Sequence, residues 1–535
     1  MYLPPSWRIA VLVILGVGVP GSILAVEIRV PLDVPEIQQA ISIANDGDVI
    51  IVSDGTWNEA IDFSGKNIEI RSENGPQSTH IVGTLDSAVV AIRSGETNLA
   101  LLEGFTVRGG GGVEINGPRL GGGIYISGSS PRIRQCIIEE NQASVGGGVF
   151  IDGGPSQQVV LEEVQIRSNV VSDSGGGLAI IGVGIGVSLV NCSVQENHAE
   201  TVAGAIFCET SSLQLQSSQI SQNSAEMLVG GVWLYQSSDG NFFDCEFSEN
   251  NSLIVGGAVV VSDFSRVTMD HCILHDNSGG ASGGGMLFDV GNDQLIQEIK
   301  FCVFNNNSAS GAGSDVVISF NLVKVMMERC TFGSPAPNSA SNIRVNNDYP
   351  EALLLDSCIV RGGTLPSIEA EPGSTVGYYS CVDGLVASGI TAIDCIDEDP
   401  LFANPAAGIL SLQPDSPCID NGNPALPVDP DGSAPDMGAL GVVESGTFRR
   451  GDVNADGLSN LADAIQILGM LFISGSGPIG CLDAGDCNDD GLLNISDGVT
   501  LLDALFVSGS PLPEPTGDCG SDPTTDPLDC SNFCP

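Results

Sequence analysis

One pattern recurs between Cys136 and Asn307: a small residue, a bulky apolar residue two positions on, and an asparagine three positions after that. The occurrences are Cys136/Ile138/Asn141, Val164/Ile166/Asn169, Cys192/Val194/Asn197, Ser218/Ile220/Asn223, Cys245/Phe247/Asn250, Cys272/Leu274/Asn277 and Cys302/Phe304/Asn307. Successive asparagines lie 26 to 30 residues apart, so one supersecondary unit is stacked on itself, the signature of a solenoid. Within a unit the apolar residues alternate, Cys245 and Phe247 against Glu246 and Ser248, which is the period of a strand and not of a helix. A glycine block and a second alternating run follow, as in Gly146 to Gly148 before Val149 and Ile151, or Gly283 to Gly285 before Met286 and Phe288. Glycine admits positive φ and close backbone approach, as a bend between two sheets requires. Asparagine tolerates the left-handed conformation and can bond its equivalent on the next coil, about 4.8 Å away. The unit therefore reads strand, asparagine turn, glycine corner, strand.

These repeats resemble those of right-handed parallel β-helix proteins of the pectin-lyase-like superfamily. The stretch from Val34 to Ala44, followed by Asp46 to Val52, looks like that family's capping helix and first strand, with Ile37, Ile41 and Ala44 on one face to plug the open core end. Asp399-Pro-Leu-Phe402, Ser416-Pro-Cys-Ile-Asp420 and Asp436-Met-Gly-Ala439 match phrases that close such domains. The resemblance implies an all-β, right-handed parallel β-helix solenoid over residues 26–445 with an N-terminal capping helix. It implies no single activity, because the fold hosts lyases, hydrolases, binding proteins and adhesins alike.

A chain of 535 residues can form one long solenoid because each coil contacts only its neighbours. The formal net charge of −48 excludes nucleic acid as a partner, since phosphates need Lys and Arg. Arg8 precedes an apolar run from Ile9 to Val19, and the small residues up to Ala25 supply a cleavage site, so residues 1–25 read as a signal peptide of a secreted or cell-surface protein. An uncleaved anchor is the alternative, although Gly and Pro interrupt the run. No later segment is apolar enough to cross a membrane, so the mature chain is expected to have no span.

Cys136, Cys192, Cys245, Cys272, Cys302, Cys330 and Cys358 share one position of the repeat, where a thiol serves as a small hydrophobe facing the core. Cys481, Cys487, Cys519, Cys530 and Cys534 lie in short polar sequence and are expected to form disulfides, in no particular pairing.

A second signal follows Arg450. Asp452, Asn454, Asp456, Asn460 and Asp463, with the carbonyl of Leu458, occupy positions 1, 3, 5, 9, 12 and 7 of a twelve-residue calcium loop, and Gly457 stands at the sharp turn. Asp486, Asn488, Asp490, Leu492, Asn494 and Asp497 repeat the arrangement, and each loop leads into an amphipathic helix. The paired loops, each ending in Asp, resemble type I dockerin modules. That resemblance implies two Ca2+ ions in an EF-hand-like helical module at 446–510, before a Cys/Pro-rich tail at 511–535, and a cohesin-like protein partner. Leu461/Ala462 and Ile495/Ser496 depart from the family's usual Ser/Thr pair at loop positions 10 and 11, and the stretch from Gly475 to Gly485 is longer than usual.

No catalytic residues stand out. Lyases of the resembled family use a Lys or Arg base beside acidic calcium ligands, but Lys66, Lys300 and Lys324 face no acidic cluster that the sequence reveals. His271 and His275 flank Cys272, and alternation turns His271 outward. Aligned on the glycine blocks, Tyr125, Phe150, Ala179, Phe207, Leu234, Val260 and Leu287 form an apolar row on one sheet exterior. Tyr125, Phe150 and Phe207 could stack on sugar rings there, unless loops or the C-terminal segment cover them. Two functions stay open: a β-helix that binds a polysaccharide, cell-surface glycan or protein partner, and a polysaccharide lyase or glycoside hydrolase localised by the same module. A groove with three or more convergent carboxylates, or a Lys or Arg beside them, would favour the enzyme.

Overall fold

The computed structural model describes residues 25–516 apart from 155–156, 183, 292–294, 312, 320–322, 337–340, 347, 363–365, 387, 430–431, 441–447, 455–456, 473–480 and 507–510. Residues 1–24 of the expected signal peptide, Asp456, and Cys519, Cys530 and Cys534 lie outside the described residues.

The coils run through three parallel sheets, joined by a fourth between Val113 and Gly279, and the coil that starts at Cys245 shows how. Glu246–Ser248 lies in sheet I, Asn251–Ser252 in sheet II, Val259–Ser262 in sheet III and Arg266–Asp270 in sheet IV, after which Cys272 starts the next coil. Among the described residues the sheets contain 13, 8, 12 and 15 strands respectively, with each strand paired to its equivalents one coil away except in the antiparallel hairpin of Val113–Glu114 and Arg119–Leu120. The register is residue for residue, Glu246 to Ile273, Phe247 to Leu274 and Ser248 to His275. Inward residues pile into one continuous core that includes Ile138, Ile166, Val194, Ile220, Phe247, Leu274 and Phe304, all fully buried.

The bends are made differently from the expectation. The residue before each asparagine, not the asparagine, is left-handed: Glu140, Ser168, Glu196, Gln222, Glu249, Asp276 and Asn306 have φ between 52° and 56°. The asparagine side chain turns inward and repairs the backbone that this conformation opens. Asn223 Nδ2 donates to the carbonyl of Ser221, two residues back, at 2.9 Å, and to Asn250 Oδ1 on the next coil at 3.0 Å. Asn250 Oδ1 also accepts from the Asn223 backbone N–H at 3.2 Å, so one amide ladder runs unbroken from Asn141 to Asn307. The cysteine bends use the same device, with left-handed Asp244 and His271 before Cys245 and Cys272 and each thiol donating to the carbonyl two residues back, at 3.2 and 3.5 Å. Ser218 does this at 2.8 Å where the ladder lacks a cysteine.

At the third bend the glycines are needed for space as well as for φ. Gly256 takes φ 77°, and a Cβ on Gly257 would sit 2.1 Å from the carbonyl oxygen of Gly284 on the next coil. The N-terminal core end is closed by α1, Ile37–Ile43, which buries Ile37, Ala40 and Ile41. Its first free N–H groups, Ile37 and Gln38, are taken by the Glu59 carboxylate at 3.0 Å each. Its last carbonyls, at Ile41, Ser42 and Ala44, are taken by Lys66 Nζ at 2.6 to 2.8 Å. Opposite charges at opposite ends complement the helix dipole, which accounts for Lys66 structurally.

Beyond the last sheet IV strand, Thr391–Ile393, the chain doubles back as a strap across the outer face of sheet I. Phe402, Leu410, Leu412, Cys418 and Met437 bury Val303, Ile359 and Cys381 of that face. Hydrogen bonds fix the strap: Gly438 N–H to the Ser357 carbonyl at 2.7 Å, Ala439 N–H to Thr331 Oγ1 at 2.9 Å and Asn423 N–H to Ser357 Oγ at 2.8 Å. The C-terminal module has its own core, in which Val453, Ala464, Ile467, Cys487 and Leu501 pack between α2, Leu461–Phe472, and α4, Ile495–Phe506, with the short α3, Leu482–Gly485, between them. Among the described residues no helix is long and apolar enough to cross a membrane.

Candidate functional site

The outer face of sheet I is covered at the C-terminal coils and open from Gln165 to Ile273, whereas Thr106 and Ile137, on the two coils before Gln165, are buried. Its outward row runs Gln165, Ser193, Gln219, Glu246 and Ile273, one residue per coil, and then passes under the strap at Val303. Beside it runs the row of left-handed bend residues, Glu163, Asn191, Ser217, Asp244 and His271. The two rows enclose an open trough of about 610 Å³ along the coil axis. Amides, hydroxyls and carboxylates line it, with His271 and Ile273 at the strap end and no Lys or Arg among the lining residues.

The three carboxylates of the trough do not converge. Glu163 Oε2 accepts from Gln135 Nε2 at 2.8 Å, and Asp244 Oδ2 accepts from Ser217 Oγ at 2.9 Å. Glu246 Oε1 accepts from Ser248 Oγ at 3.0 Å and lies 3.1 Å from His275 Nε2. His275 Nδ1 is 2.6 Å from Asp276 Oδ2. Burial pulls the His275 imidazole down, but the hydrogen bonds to Asp276 and Glu246 outweigh it and hold it above its ordinary value. His271 faces outward, as alternation requires, with Nδ1 2.7 Å from Asp270 Oδ1 and its ring stacked on Phe301 at 4.8 Å.

The apolar row on sheet III is not an accessible face. Tyr125, Phe150 and Phe207 are only 4%, 3% and 7% exposed. Val145 and Ala203, at the approach to the glycine corner, cover them together with Val113, Ile115 and Leu120 of a short hairpin. Trp233, not Leu234, continues the row, because Trp233 pairs with Phe207 while Leu234 is fully buried in the main core. The slip arises at Val229, which takes the left-handed position, φ 61°, that glycine holds on most neighbouring coils, so counting from the glycines misplaces the row by one.

In the module, each loop buries its first and last carboxylates. Asp452 and Asp463 are 2% and 0% exposed, and Asp486 and Asp497 are 0%. Asp463 Oδ1 accepts from the Val453 and Asn454 N–H groups at 2.9 and 3.2 Å, and Asp452 Oδ2 from the Gly457 N–H at 2.9 Å. In the second loop Asp486 Oδ2 accepts from Gly491 N–H at 2.8 Å and Asp497 Oδ2 from Asn494 N–H at 2.7 Å. Burial, then the neighbouring Asp486, pushes the Asp497 carboxyl up to about 6. Buried carboxylates of like charge are a donor set that fits a hard divalent ion. Asn460 and Asn494 are turned to the helix starts, accepting from Ala462 N–H at 2.8 Å and Ser496 N–H at 2.9 Å, and they donate to the carbonyls of Leu458 and Leu492. Asn488 and Asp490 lie on the solvent side of their loop, 2.9 Å apart. Among the described residues no three His, Cys, Asp or Glu side chains form a metal-ligating cluster by themselves, and Asp456 is not among them.

Sequence reasoning missed Arg450. It is fully buried, and its guanidinium donates to the Asp486 carbonyl at 2.6 Å and to Asp489 Oδ1 at 2.8 Å, while its backbone N–H donates to Pro515 at 2.6 Å. It ties both ends of the module to the second loop. Cys481 is disulfide-bonded as expected, whereas Cys487 is a free thiol buried in the module core. Burial pushes that thiol above its ordinary range, so it packs as a small hydrophobe.

The family described as right handed beta helix region matches residues 122–295, the coils that carry the amide ladder. Metabotropic glutamate receptor-like protein R of Dictyostelium discoideum is 27% identical over 234 residues, 43% of this chain, and this chain spans 14% of that relative's length. Among solved structures, pectate lyase Pel9A is similar with 12% identity, 76% of this chain and 90% of that one covered, and a TM-score of 0.34. A pectin methylesterase in complex with a hexasaccharide gives 11% identity, coverage of 69% and 80%, and a TM-score of 0.17. The chain is thus a right-handed parallel β-helix followed by a small helical module.

Proposed function

We propose that this protein is a secreted or cell-surface binding scaffold, whose β-helix holds an extended glycan in the sheet I trough and whose calcium-folded module attaches it to a protein partner. The trough carries this reading. It repeats amide, hydroxyl and carboxylate groups at the inter-strand spacing of about 4.8 Å, so a chain of polyhydroxylated units meets similar hydrogen-bonding partners coil after coil. Glu163, Asp244 and Glu246, within a chain of net charge −48, repel a polyanion, so a neutral polysaccharide is the expected ligand.

In the module, Asp452, Asn454, Asp456, the Leu458 carbonyl, Asn460 and Asp463 would hold one calcium ion. Asp486, Asn488, Asp490, the Leu492 carbonyl, Asn494 and Asp497 would hold the other. Calcium would place two positive charges among the buried carboxylates of each loop. The attachment role is supported by two matching apolar stripes, in which Leu461, Ile465 and Phe472 on α2 and Ile495, Val499 and Phe506 on α4 are 48% to 66% exposed. Exposed apolar side chains repeated on both helices suit burial by a cohesin-like protein partner.

The test is calorimetric titration of the full chain with neutral and acidic polysaccharides. Binding to a neutral glycan, weakened about tenfold or more in Gln219→Ala and Glu246→Ala chains that keep the wild-type circular dichroism, is the expected result. Absence of binding across the panel, or wild-type affinity in both variants, overturns it. A lyase or hydrolase reading draws on one observation, the His275 imidazole between Glu246 and Asp276 beside the trough. Reducing ends or unsaturated products in the same mixtures, lost in His275→Asn, would favour that reading instead.

A further inference from the structure

Most free thiols of the β-helix sit at stacked inward positions of the repeat, where each donates to a carbonyl of its own bend. Cys381 and Cys418 do not. Cys381 pairs with Ile359 in the outward row of sheet I, one position past the inward Ser380, so its side chain leaves the main core. Cys418 belongs to the strap that lies on that face, and the two are members of one small buried cluster, 2% and 0% exposed. The Cys381 thiol donates to the carbonyl of Glu398 in the strap at 3.2 Å, and within the shared cluster its contact with Cys418 holds it below its ordinary value. The strap around them is positioned independently of the thiols, by Ser416 Oγ on the Pro400 carbonyl at 2.6 Å and by the Met437 N–H on the Cys418 carbonyl at 2.9 Å. Cys481 is disulfide-bonded, and this inference rests on the secreted or cell-surface reading proposed above, which brings the chain to an oxidant.

We propose that Cys381 and Cys418 form a disulfide that fastens the C-terminal strap to the outer face of sheet I. The oxidant is a small-molecule disulfide of the glutathione class. The Cys381 thiolate attacks one sulfur of it, forming a mixed disulfide and releasing one small thiolate. The Cys418 thiolate then attacks the Cys381 sulfur and releases the second. Two protons leave the protein thiols, two electrons pass to the oxidant, and one S–S bond replaces two S–H bonds. Because both thiols are buried once the strap is seated, the exchange belongs to folding, before seating is complete.

The full chain, reduced in denaturant and refolded in a mixture of reduced and oxidised glutathione, is alkylated in denaturant, digested and weighed. Peptides containing Cys381 and Cys418 should be linked to each other, while those of Cys272 and Cys302 should carry the alkyl label. Label on both Cys381 and Cys418, or linkage of either to another cysteine, overturns the proposal. Limited proteolysis tests the fastening itself. A Cys418→Ser chain should be cut within residues 395–440 several-fold faster than the wild type when no reductant is present, and equal rates would overturn it.

Discussion

From Asn141 to Asn307 one asparagine follows each left-handed residue at the bend into sheet II, and Asp315, at the corner before sheet III, shows what a carboxyl does at the end of their ladder. It ends the amide ladder fully buried, with Oδ1 accepting from Asn307 Nδ2 and Oδ2 from Asn342 Nδ2, each at 2.8 Å. Desolvation outweighs the two hydrogen bonds and pushes its carboxyl up to about 7 from 3.8. A folded-state value raised in this way favours the protonated native state. Its contribution to stability is therefore complete below about pH 4 and is lost as pH rises through about 7. Urea unfolding of the β-helix across this window should show a loss on the order of a few kcal/mol that Asp315→Asn flattens, and an unchanged slope in the variant would refute the assignment. The ladder asparagines and their bond to the next coil were legible from spacing alone. The place of the strain was not, because nothing in a one-dimensional pattern shows that the left-handed residue is the one before. Asp315 is hidden for a related reason: it stands eight positions after Asn307 and joins the ladder only through the fold.

At the scale of the element, the corners between sheets II and III depend on an absence of side chain. Gly257 admits no Cβ, since the clash is with the backbone of Gly284, which cannot swing aside as a flexible side chain could. Gly257→Ala should therefore lower stability by about 1–3 kcal/mol through forced separation of two coils, read as a lower urea midpoint at unchanged m-value. Wild-type stability would mean that the coils are less tightly stacked than the contact implies. These corners could be read directly from the glycine blocks, except where Val229 replaces a glycine and shifts the count. The α1 plug was equally legible from its apolar face, but Glu59 and Lys66, which cap its two ends, come from later in the chain and carry no local signature. The same non-locality hid the covering of Tyr125, Phe150 and Phe207, since period-two alternation reports which face a side chain takes and not what lies on that face.

For the whole molecule, the β-helix core and the module core are separate clusters among the described residues. Two transitions are expected on heating, and only one should respond to calcium. Ion binding at a hundredfold excess over Kd contributes about 2.7 kcal/mol per site, so excess chelator should lower the smaller transition by about 10 °C or more and leave the larger in place. Identical scans with and without chelator would remove the calcium assignment. The repeating architecture and the acidic loops could be seen in the sequence because each is a local, periodic pattern. The trough could not, because its residues are ordinary polar ones that matter only when stacked, and because the strap that ends it returns from a distant part of the chain.

That strap has an architectural consequence. It lies on Val303, Thr331, Ile359 and Cys381 whatever the number of coils that precede them, so the length of open surface is set by how many repeats stand between the buried Ile137 and the strap. A duplicated repeat would extend the accessible ledge by one step of about 4.8 Å and leave both termini of the solenoid as they are. Reach can then change in whole increments, like notches on a measuring rod, without redesign of either stop.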